Sequence, residues 1–190
     1  MLTVYLAGPE VFLPDAIEIG RRKRQLCAQH GFEGLYPLDN EISASAGERN
    51  DQLIYQANKA MMERADFGIC NLTPFRGPSA DAGTVFELGL MVALRKPVFA
   101  YTNDSSDYAR RVVPARPDDP RHRQRDQSDM MIEDFGNFDN LMLEWAVREA
   151  SGYPIVRHEA INADLYRDLT GFEACLRLAV TDMPASAQRR

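Results

Sequence analysis

The stretch from Phe67 to Leu94 constrains the fold most, because an apolar run, a broken polar loop and a helical pattern follow one another. The run FGIC (residues 67–70) is continuously apolar, which predicts a short strand buried on both faces. Prolines and glycines interrupt the loop, and the apolar residues after it recur mostly at helical spacing. Ligands of open α/β sheets bind at the carboxyl ends of the strands. We therefore expect a site at this junction, where Asp81 and Glu87 lie.

Glu87 allows two interpretations. Thr84-Val85-Phe86-Glu87 matches a capping box, in which Thr84 caps the helix and the glutamate bonds back to the cap amide. Alternatively, the positive end of the helix dipole favours the ionised form of a carboxylate in a first helical turn. An ionised glutamate among apolar neighbours could serve as a nucleophile or an electrostatic stabiliser. The four residues alone favour the capping box, whereas their position after a buried strand favours a site.

The remaining chain alternates between strand-like runs and helical patterns. Strands are predicted at 2–7, 34–38, 67–70, 97–101 and 153–157, and helices at 14–30, 49–64, 84–94, 138–150 and 163–180. Apolar, non-alternating strands separated by helices are typical of a parallel sheet covered on both faces, so we predict an α/β fold. The length of 190 residues suits one domain, predicted at 1–182, with a C-terminal tail at 183–190.

Charge and cysteine usage exclude several classes of protein. The net charge of −6 and the pI near 5.1 argue against a nucleic-acid-binding surface, which is normally basic. Cys27, Cys70 and Cys175 lack metal-type spacing, so we expect reduced thiols, two of them in apolar patterns. The sequence shows no basic leader and no apolar run of membrane-spanning length. We therefore expect a soluble cytoplasmic protein that binds neither nucleic acid nor membranes.

The segment 110–129 breaks the alternating pattern. It is rich in proline and charge and almost without apolar residues. A loop of this length inside a compact domain is usually a lid, a partner arm or disordered. Because its basic residues are interleaved with aspartates, we assign it no nucleic-acid binding.

The absence of other catalytic motifs leaves carboxylate chemistry. The sequence contains no phosphate-binding loop, no dinucleotide fingerprint, no Ser-His-Asp order and no His/Cys cluster for a metal. An ionised carboxylate beside a second acid suits substitution at an anomeric carbon. One acid attacks or stabilises the oxocarbenium-like centre, while the other handles the proton of the leaving group.

Several short pieces resemble the nucleoside 2-deoxyribosyltransferase family and occur in the expected order over most of the chain. They are Tyr5-Leu6-Ala7-Gly8-Pro9 with Phe12, Pro37-Leu38-Asp39-Asn40, Asp66, Pro74-Phe75-Arg76-Gly77, Asp81-Ala82-Gly83-Thr84-Val85-Phe86-Glu87-Leu88-Gly89 and Asn140-Leu141-Met142. The resemblance implies a flavodoxin-like, doubly wound sheet of about five parallel strands with helices on both faces. It also implies exchange of the base of 2′-deoxynucleosides with free nucleobases, without a metal or organic cofactor.

The resemblance also implies roles for single residues. Glu87 matches the nucleophile that forms a covalent deoxyribosyl-enzyme, Tyr5 the phenol that orients it, and Asp81 the acid at the nucleoside and its base. Phe12 matches an aromatic residue at the base pocket. Taken alone, Tyr5 could be a strand aromatic and Phe12 core filling.

Further residues are expected at the substrate. Gly8, Asp39 and Asn58 are expected to line its pocket. Asn140 and Met142 match a pair that the neighbouring subunit supplies near the 5′-hydroxyl, which implies at least a homodimer with a shared active site. Taken alone, Asn140 could simply cap a helix.

The sequence departs from the family pattern at two positions, and two rival functions are compatible with it. Some members of the family carry aspartate at Asn58 and glutamine at Glu41, so the base preference is open. One rival is a hydrolase of 2′-deoxynucleosides or their 5′-monophosphates, and the other is a nucleotide-sensing module without turnover. In the loop Gly8-Pro9-Glu10-Val11 the proline removes an amide donor and the glutamate would repel phosphate, which favours free nucleosides.

Overall fold

The computed structural model describes residues 1–40, 49–112, 124–160 and 164–183. The strands are β1 (Leu2–Ala7), β2 (Phe32–Leu35), β3 (Phe67–Asn71), β4 (Val98–Thr102) and β5 (Val156–Arg157). The helices are α1 (Ala16–Gln29), α2 (Asn50–Arg64), α3 (Ala82–Ala93), α4 (Tyr108–Arg111), α5 (Leu141–Ser151) and α6 (Thr170–Asp182). Two 3₁₀ turns, Pro9–Phe12 and Pro37–Asp39, follow β1 and β2.

The five strands form one parallel sheet in the order β2-β1-β3-β4-β5. Helices α1 and α6 share one apolar core with the sheet, while α2, α3 and α5 share a second core on the other face. This is the flavodoxin-like, doubly wound arrangement, so the predicted fold class is confirmed. The order of the strands reverses between β1 and β3, and such a switch point is where open sheets bind ligands.

The alternation of side chains along β1 decides which residues can reach the switch point. Val4 and Leu6 pack into the core of α1 and α6, whereas Tyr5 and Ala7 pack into the core of α2, α3 and α5. Tyr5 is therefore directed towards α3, the helix that follows the broken loop.

Several element boundaries differ from those predicted. β2 begins at Phe32 instead of 34, and it ends at Leu35 instead of 38 because Pro37 already belongs to a 3₁₀ turn. β5 is two residues long, since Pro154 has no amide proton for the ladder. α6 starts at Thr170 instead of 163, where the carboxylate of Asp168 accepts a hydrogen bond from the Thr170 amide. α4 was not predicted.

The predicted polar loop and tail lie partly outside the described residues, which omit 113–123 and 184–190. The lid interpretation of 110–129 and the domain boundaries therefore stay predictions. The three cysteines are buried and form no disulfide. Within the described ranges, no helix is both long and apolar enough to cross a membrane.

Candidate active site

A pocket of about 480 Å³ opens beside the carboxyl end of β1 and the start of α3. Its size is typical of sites for small molecules. The residues that line it are Gly8, Val11, Phe12, Pro37, Leu38, Asn40, Ile54, Asn58, Asp81, Gly83, Thr84 and Glu87. The structure thus brings together five of the predicted site residues, and Tyr5 reaches the pocket through Glu87.

Tyr5 and Glu87 form the central contact of the pocket. The Tyr5 hydroxyl donates to Oε1 of Glu87 at 2.5 Å, a length typical of a hydrogen bond to a carboxylate. Burial raises the pKa of Glu87 to about 7, and the charge of Asp81 adds to this rise, while the hydrogen bond from Tyr5 opposes it. Burial also raises the pKa of Tyr5 above its ordinary value, so the phenol keeps its proton. Glu87 is therefore a carboxyl group that ionises near neutral pH.

The capping box and the dipole effect, both expected from the helix position of Glu87, are wrong. α3 is capped by Asp81 and begins at Ala82, two residues before the predicted start at Thr84. Glu87 is therefore the sixth residue of the helix and lies in the second turn, so that it neither closes a capping box nor lies at the positive end of the dipole. The hydrogen bond to Tyr5 takes the place of the expected bond to the cap amide.

Asp81 caps the helix with one oxygen and faces the pocket. Its Oδ2 accepts hydrogen bonds from the Thr84 amide at 2.9 Å and from the Thr84 hydroxyl at 3.1 Å. Oδ1 accepts no hydrogen bond from a described residue. The cap thus fixes the Asp81 side chain and leaves one oxygen available for a ligand or a proton.

Phe12 forms an aromatic wall of the pocket. It is 58% exposed, so the core-filling interpretation is wrong. Its ring stacks on that of Phe75, with centroids 5.3 Å apart and planes 14° apart, and the Arg76 guanidinium lies over both rings. A largely exposed aromatic ring in the lining of a pocket offers a surface on which a flat base can stack.

Gly8 allows the backbone to pass close to a buried ion pair. A Cβ at Gly8 would lie 2.8 Å from Cβ of Asn71 and against the Glu10 carboxylate. Glu10 is fully buried and pairs with the equally buried Lys23. Its carboxylate also accepts a hydrogen bond from the side-chain Nδ2 of Asn71 at 3.0 Å. The prediction that Glu10 repels phosphate from the loop is therefore wrong, because its carboxylate is directed into the protein and neutralised there.

Asn58 lies on the α2 side of the pocket and is held by Asn40. Nδ2 of Asn40 lies 3.1 Å from the Pro37 carbonyl oxygen and 3.3 Å from Oδ1 of Asn58. Asn40 and Ile54 also line the pocket, although neither was a predicted site residue. Ile54 precedes Asn58 by one helical turn, and this spacing places both on one face of α2. Helical spacing from Asn58 could therefore have identified Ile54 as a pocket residue.

Asp39 was expected to line the pocket, but it does not. Its Oδ1 pairs with Arg24, and its Oδ2 accepts a hydrogen bond from the Tyr36 amide at 3.2 Å within the capped 3₁₀ turn. Both oxygens therefore stabilise the turn that presents Pro37 and Leu38 to the pocket.

Asn140 and Met142 lie outside the pocket of their own chain. Asn140 is the N-cap of α5, where its Oδ1 accepts a hydrogen bond from the Met142 amide at 3.0 Å and its Nδ2 donates to Glu133 at 2.8 Å. The helix-cap interpretation is thus confirmed. The Met142 side chain is 69% exposed.

Comparisons with known proteins identify the relatives of this chain. The family model described as nucleoside 2-deoxyribosyltransferase matches residues 4–142. An uncharacterised protein of Schizosaccharomyces pombe is 31% identical over 169 residues, covering 80% of each chain. The structure of a 2-deoxyribosyltransferase from Leishmania mexicana superposes with a TM-score of 0.67 and 26% identity, over 96% of this chain and 99% of that chain.

A third relative supports the fold alone. A conserved protein of Enterococcus faecalis matches with a TM-score of 0.52 and 20% identity, over 93% of this chain and 98% of that chain.

In the described residues, no group of His, Cys, Asp and Glu side chains is arranged to hold a metal ion. The family model over residues 4–142 and the structural match together show that the chain belongs to the nucleoside 2-deoxyribosyltransferase family.

Proposed function

We propose that this protein transfers the 2-deoxyribosyl group of a 2′-deoxynucleoside between nucleobases by double displacement, through a covalent intermediate on Glu87. The observation that carries the proposal is the hydrogen bond from Tyr5 to Oε1 of Glu87 at 2.5 Å, inside a pocket that Asp81 also lines. A carboxylate held by one oxygen beside a second acid is the arrangement that glycosyl transfer with retention requires.

The first displacement forms the intermediate. Oε2 of Glu87 accepts no hydrogen bond from a described residue, so it is the oxygen that attacks the anomeric carbon. As the new C–O bond forms, the glycosidic C–N bond breaks, and its electron pair goes to the base. Asp81 reacts in its protonated form and gives its proton to the departing base, so that it is left ionised beside the Glu87 ester. Tyr5 keeps the other carboxylate oxygen in place throughout.

The second displacement returns the enzyme to its starting state. A nitrogen of the incoming base attacks the anomeric carbon, the ester bond to Glu87 breaks, and the proton lost by the incoming base goes to Asp81. Two inversions at one carbon retain its configuration. Phe12 offers the stacking surface for both bases, and Asn58 the polar contact on the opposite wall.

The charges of the pocket support free nucleosides as substrates. Among the described lining residues, Asp81 and Glu87 are acidic and none is basic. A 5′-phosphate would need a cation or a cluster of amide donors. The preference for free nucleosides therefore rests on the lack of a basic lining residue, and not on repulsion of phosphate by Glu10, whose charge is buried.

A second copy of the chain is proposed to complete the pocket with Asn140 and Met142. Large apolar side chains are exposed on the outer faces of α2, α3 and α5, namely Tyr55, Phe86, Met142 and Trp145. The Tyr55 and Phe86 rings are in contact, with centroids 6.2 Å apart. An exposed apolar face of this kind is typical of an interface between subunits.

Incubation with 2′-deoxyinosine, with and without adenine, tests the proposal. We expect repeated turnover, with hypoxanthine in excess of the enzyme and 2′-deoxyadenosine as products, only when adenine is present, and little reaction of inosine as the matched control. Without an acceptor, intact-mass measurement should detect one deoxyribosyl group on the wild type and none on Glu87→Ala. Release of hypoxanthine at a rate independent of adenine would identify a hydrolase. Binding of nucleotides without any turnover would identify a sensing module.

A further inference from the structure

Asp139 is a buried carboxylate that connects two separate parts of the candidate site. It is 1% exposed. Its Oδ2 accepts a hydrogen bond from the Ala80 amide at 2.8 Å, 59 positions away, and its Oδ1 accepts one from the Asn140 amide at 2.7 Å. Ala80 directly precedes Asp81, the cap of α3 and a pocket residue. The backbone that carries Asp81 is therefore attached to the segment that begins α5.

Arg111 reinforces this attachment from a third segment. Its Nε donates to the Pro78 carbonyl at 2.8 Å, its Nη1 donates to the Ser106 carbonyl at 2.5 Å, and its Nη2 donates to the Phe138 carbonyl. The guanidinium also lies over the Phe138 ring, with Cζ 4.5 Å from the centroid. The loop before Asp81 and the segment before Asn140 are thus clamped together at both the Pro78 and the Ala80 positions.

We propose that Asp139 is a positioning residue for Asp81: its carboxylate holds the Ala80 amide and so fixes the backbone from which the Asp81 side chain enters the pocket. The proposal rests on the proposed function in giving Asp81 the role of proton donor. A helix N-cap already restrains Oδ2 of Asp81, but a cap fixes the side chain only relative to α3. The bond from Ala80 to Asp139 fixes the start of α3 relative to the rest of the molecule.

Exchange of the Ala80 amide proton tests the positioning directly and needs no substrate. In Asp139→Ala the amide loses a buried acceptor, and its exchange should accelerate by roughly tenfold or more. Asp139→Asn keeps one acceptor oxygen for two amides and should give a smaller increase. Asp66→Ala is the matched control, because Asp66 accepts a hydrogen bond from the Thr3 amide at 2.7 Å at the opposite end of the sheet. It should accelerate exchange at Thr3 and not at Ala80.

Turnover of two substrates separates positioning from general loss of structure. The base of 2′-deoxyinosine needs a proton as it leaves, whereas that of 7-methyl-2′-deoxyguanosine is already cationic and leaves as a neutral base. We expect Asp139→Ala to lower kcat on 2′-deoxyinosine by at least about tenfold, with a clearly smaller loss on the methylated substrate. Asp81→Asn should show the same difference between substrates, and Asp66→Ala should show none.

Two results would overturn the proposal. Equal losses on both substrates would assign Asp139 a structural role only, since a lower folded fraction reduces both rates alike. Unchanged exchange at Ala80 in Asp139→Ala would show that the bond does not hold the loop. If the wild type turns over neither substrate, the proposed function fails, and the exchange measurement still decides whether Asp139 holds the backbone before Asp81.

Discussion

Tyr5 and Glu87 are 82 positions apart in the sequence and share a hydrogen bond of 2.5 Å across the switch point of the sheet. Tyr5 belongs to β1 and is fully buried, whereas Glu87 enters from the second turn of α3. The bond opposes the effect of burial on the carboxyl group, because it stabilises the ionised form. One contact therefore orients Glu87 and lowers its pKa, against the larger effect of burial.

Tyr5→Phe should lower kcat and move the pH profile. Since Glu87 must be ionised to attack, kcat/KM of the wild type should rise with pH through about 7, the pKa of Glu87. Without the phenol, burial is less opposed, and the rising limb should move to higher pH. We expect kcat at neutral pH to fall by about tenfold to a thousandfold. Rate profiles of 2′-deoxyinosine turnover measure both effects.

The matched control is Tyr153→Phe, which removes a half-buried phenol packed against the core of α1 and α6, outside the lining of the pocket. Its acidic limb should coincide with that of the wild type. An unshifted limb in Tyr5→Phe would contradict the assignment of the pKa to Glu87.

Glu87→Gln should stabilise the fold at alkaline pH. The folded-state pKa of Glu87 is raised from its ordinary value of 4.5 to about 7, so the folded protein holds a proton that the unfolded chain releases between these values. Stability therefore falls as pH rises through this window. Glutamine resembles the protonated form, and the variant should gain up to about 3 kcal/mol of unfolding free energy at pH 8, with little gain near pH 4. Denaturant unfolding at the two pH values measures the difference.

Glu18→Gln is the control for this measurement. The exposed Glu18 pairs with Arg21, which lowers the pKa of its carboxyl group. Removing its charge should therefore give no gain at pH 8. A gain in Glu87→Gln that is equal at both pH values would contradict the raised pKa.

Asn58→Asp should shift the preference between bases. The Pro37 carbonyl can only accept, so it fixes Nδ2 of Asn40 towards itself, and the same nitrogen faces Oδ1 of Asn58. The Asn58 side chain is thereby left with its N–H donors for the pocket. Aspartate offers only acceptors when ionised, which should shift the ratio of kcat/KM from 2′-deoxyinosine towards 2′-deoxyadenosine by about tenfold or more.

Asn50→Asp adds the same charge at the start of α2, away from the pocket lining, and should leave this ratio unchanged. An unchanged ratio in Asn58→Asp would place the Asn58 contact on the sugar instead of the base.

Mixed dimers should show whether Asn140 acts in the pocket of a partner. Glu87→Ala and Asn140→Ala are each expected to be inactive alone. If the pocket is shared, a hybrid dimer contains one complete pocket, and mixing should restore a part of the activity. Turnover measured before and after subunit exchange tests this. Exchange without restored activity, or an active Asn140→Ala, would leave Asn140 as the cap of α5 only.

The strand pattern of the sequence was sufficient to predict the sheet. β1 and β3 were predicted at 2–7 and 67–70 and are observed within one residue of those bounds, because continuous apolar runs have few alternatives to a buried strand. The start of α3 was not predictable in the same way. Asp81-x-x-Thr84 and Thr84-x-x-Glu87 both satisfy local capping patterns, and the choice depends on Tyr5, which is distant in sequence.

The direction of charged side chains in turns was the least predictable feature. Glu10 and Asp39 both follow a strand at the edge of the pocket, where a carboxylate would be expected to face a ligand. Their partners Lys23 and Arg24 are neighbours on α1. Whether those cations reach the turns depends on how α1 packs on the sheet, which local sequence does not specify.

The buried pair of Glu10 and Lys23 limits how this chain can diverge. Neither side chain is exposed, and the Lys23 amine also lies 5.0 Å from the centroid of the Phe172 ring. Removal of one partner would leave an uncompensated charge, which costs about 3–5 kcal/mol, whereas joint replacement by apolar residues of similar volume is often neutral. A domain of ordinary stability, about 5–15 kcal/mol, loses much of its margin in the single step. We therefore expect Glu10 and Lys23 to tolerate substitution as a pair better than either tolerates it alone, so that the wall behind Gly8 changes most easily when both residues change together.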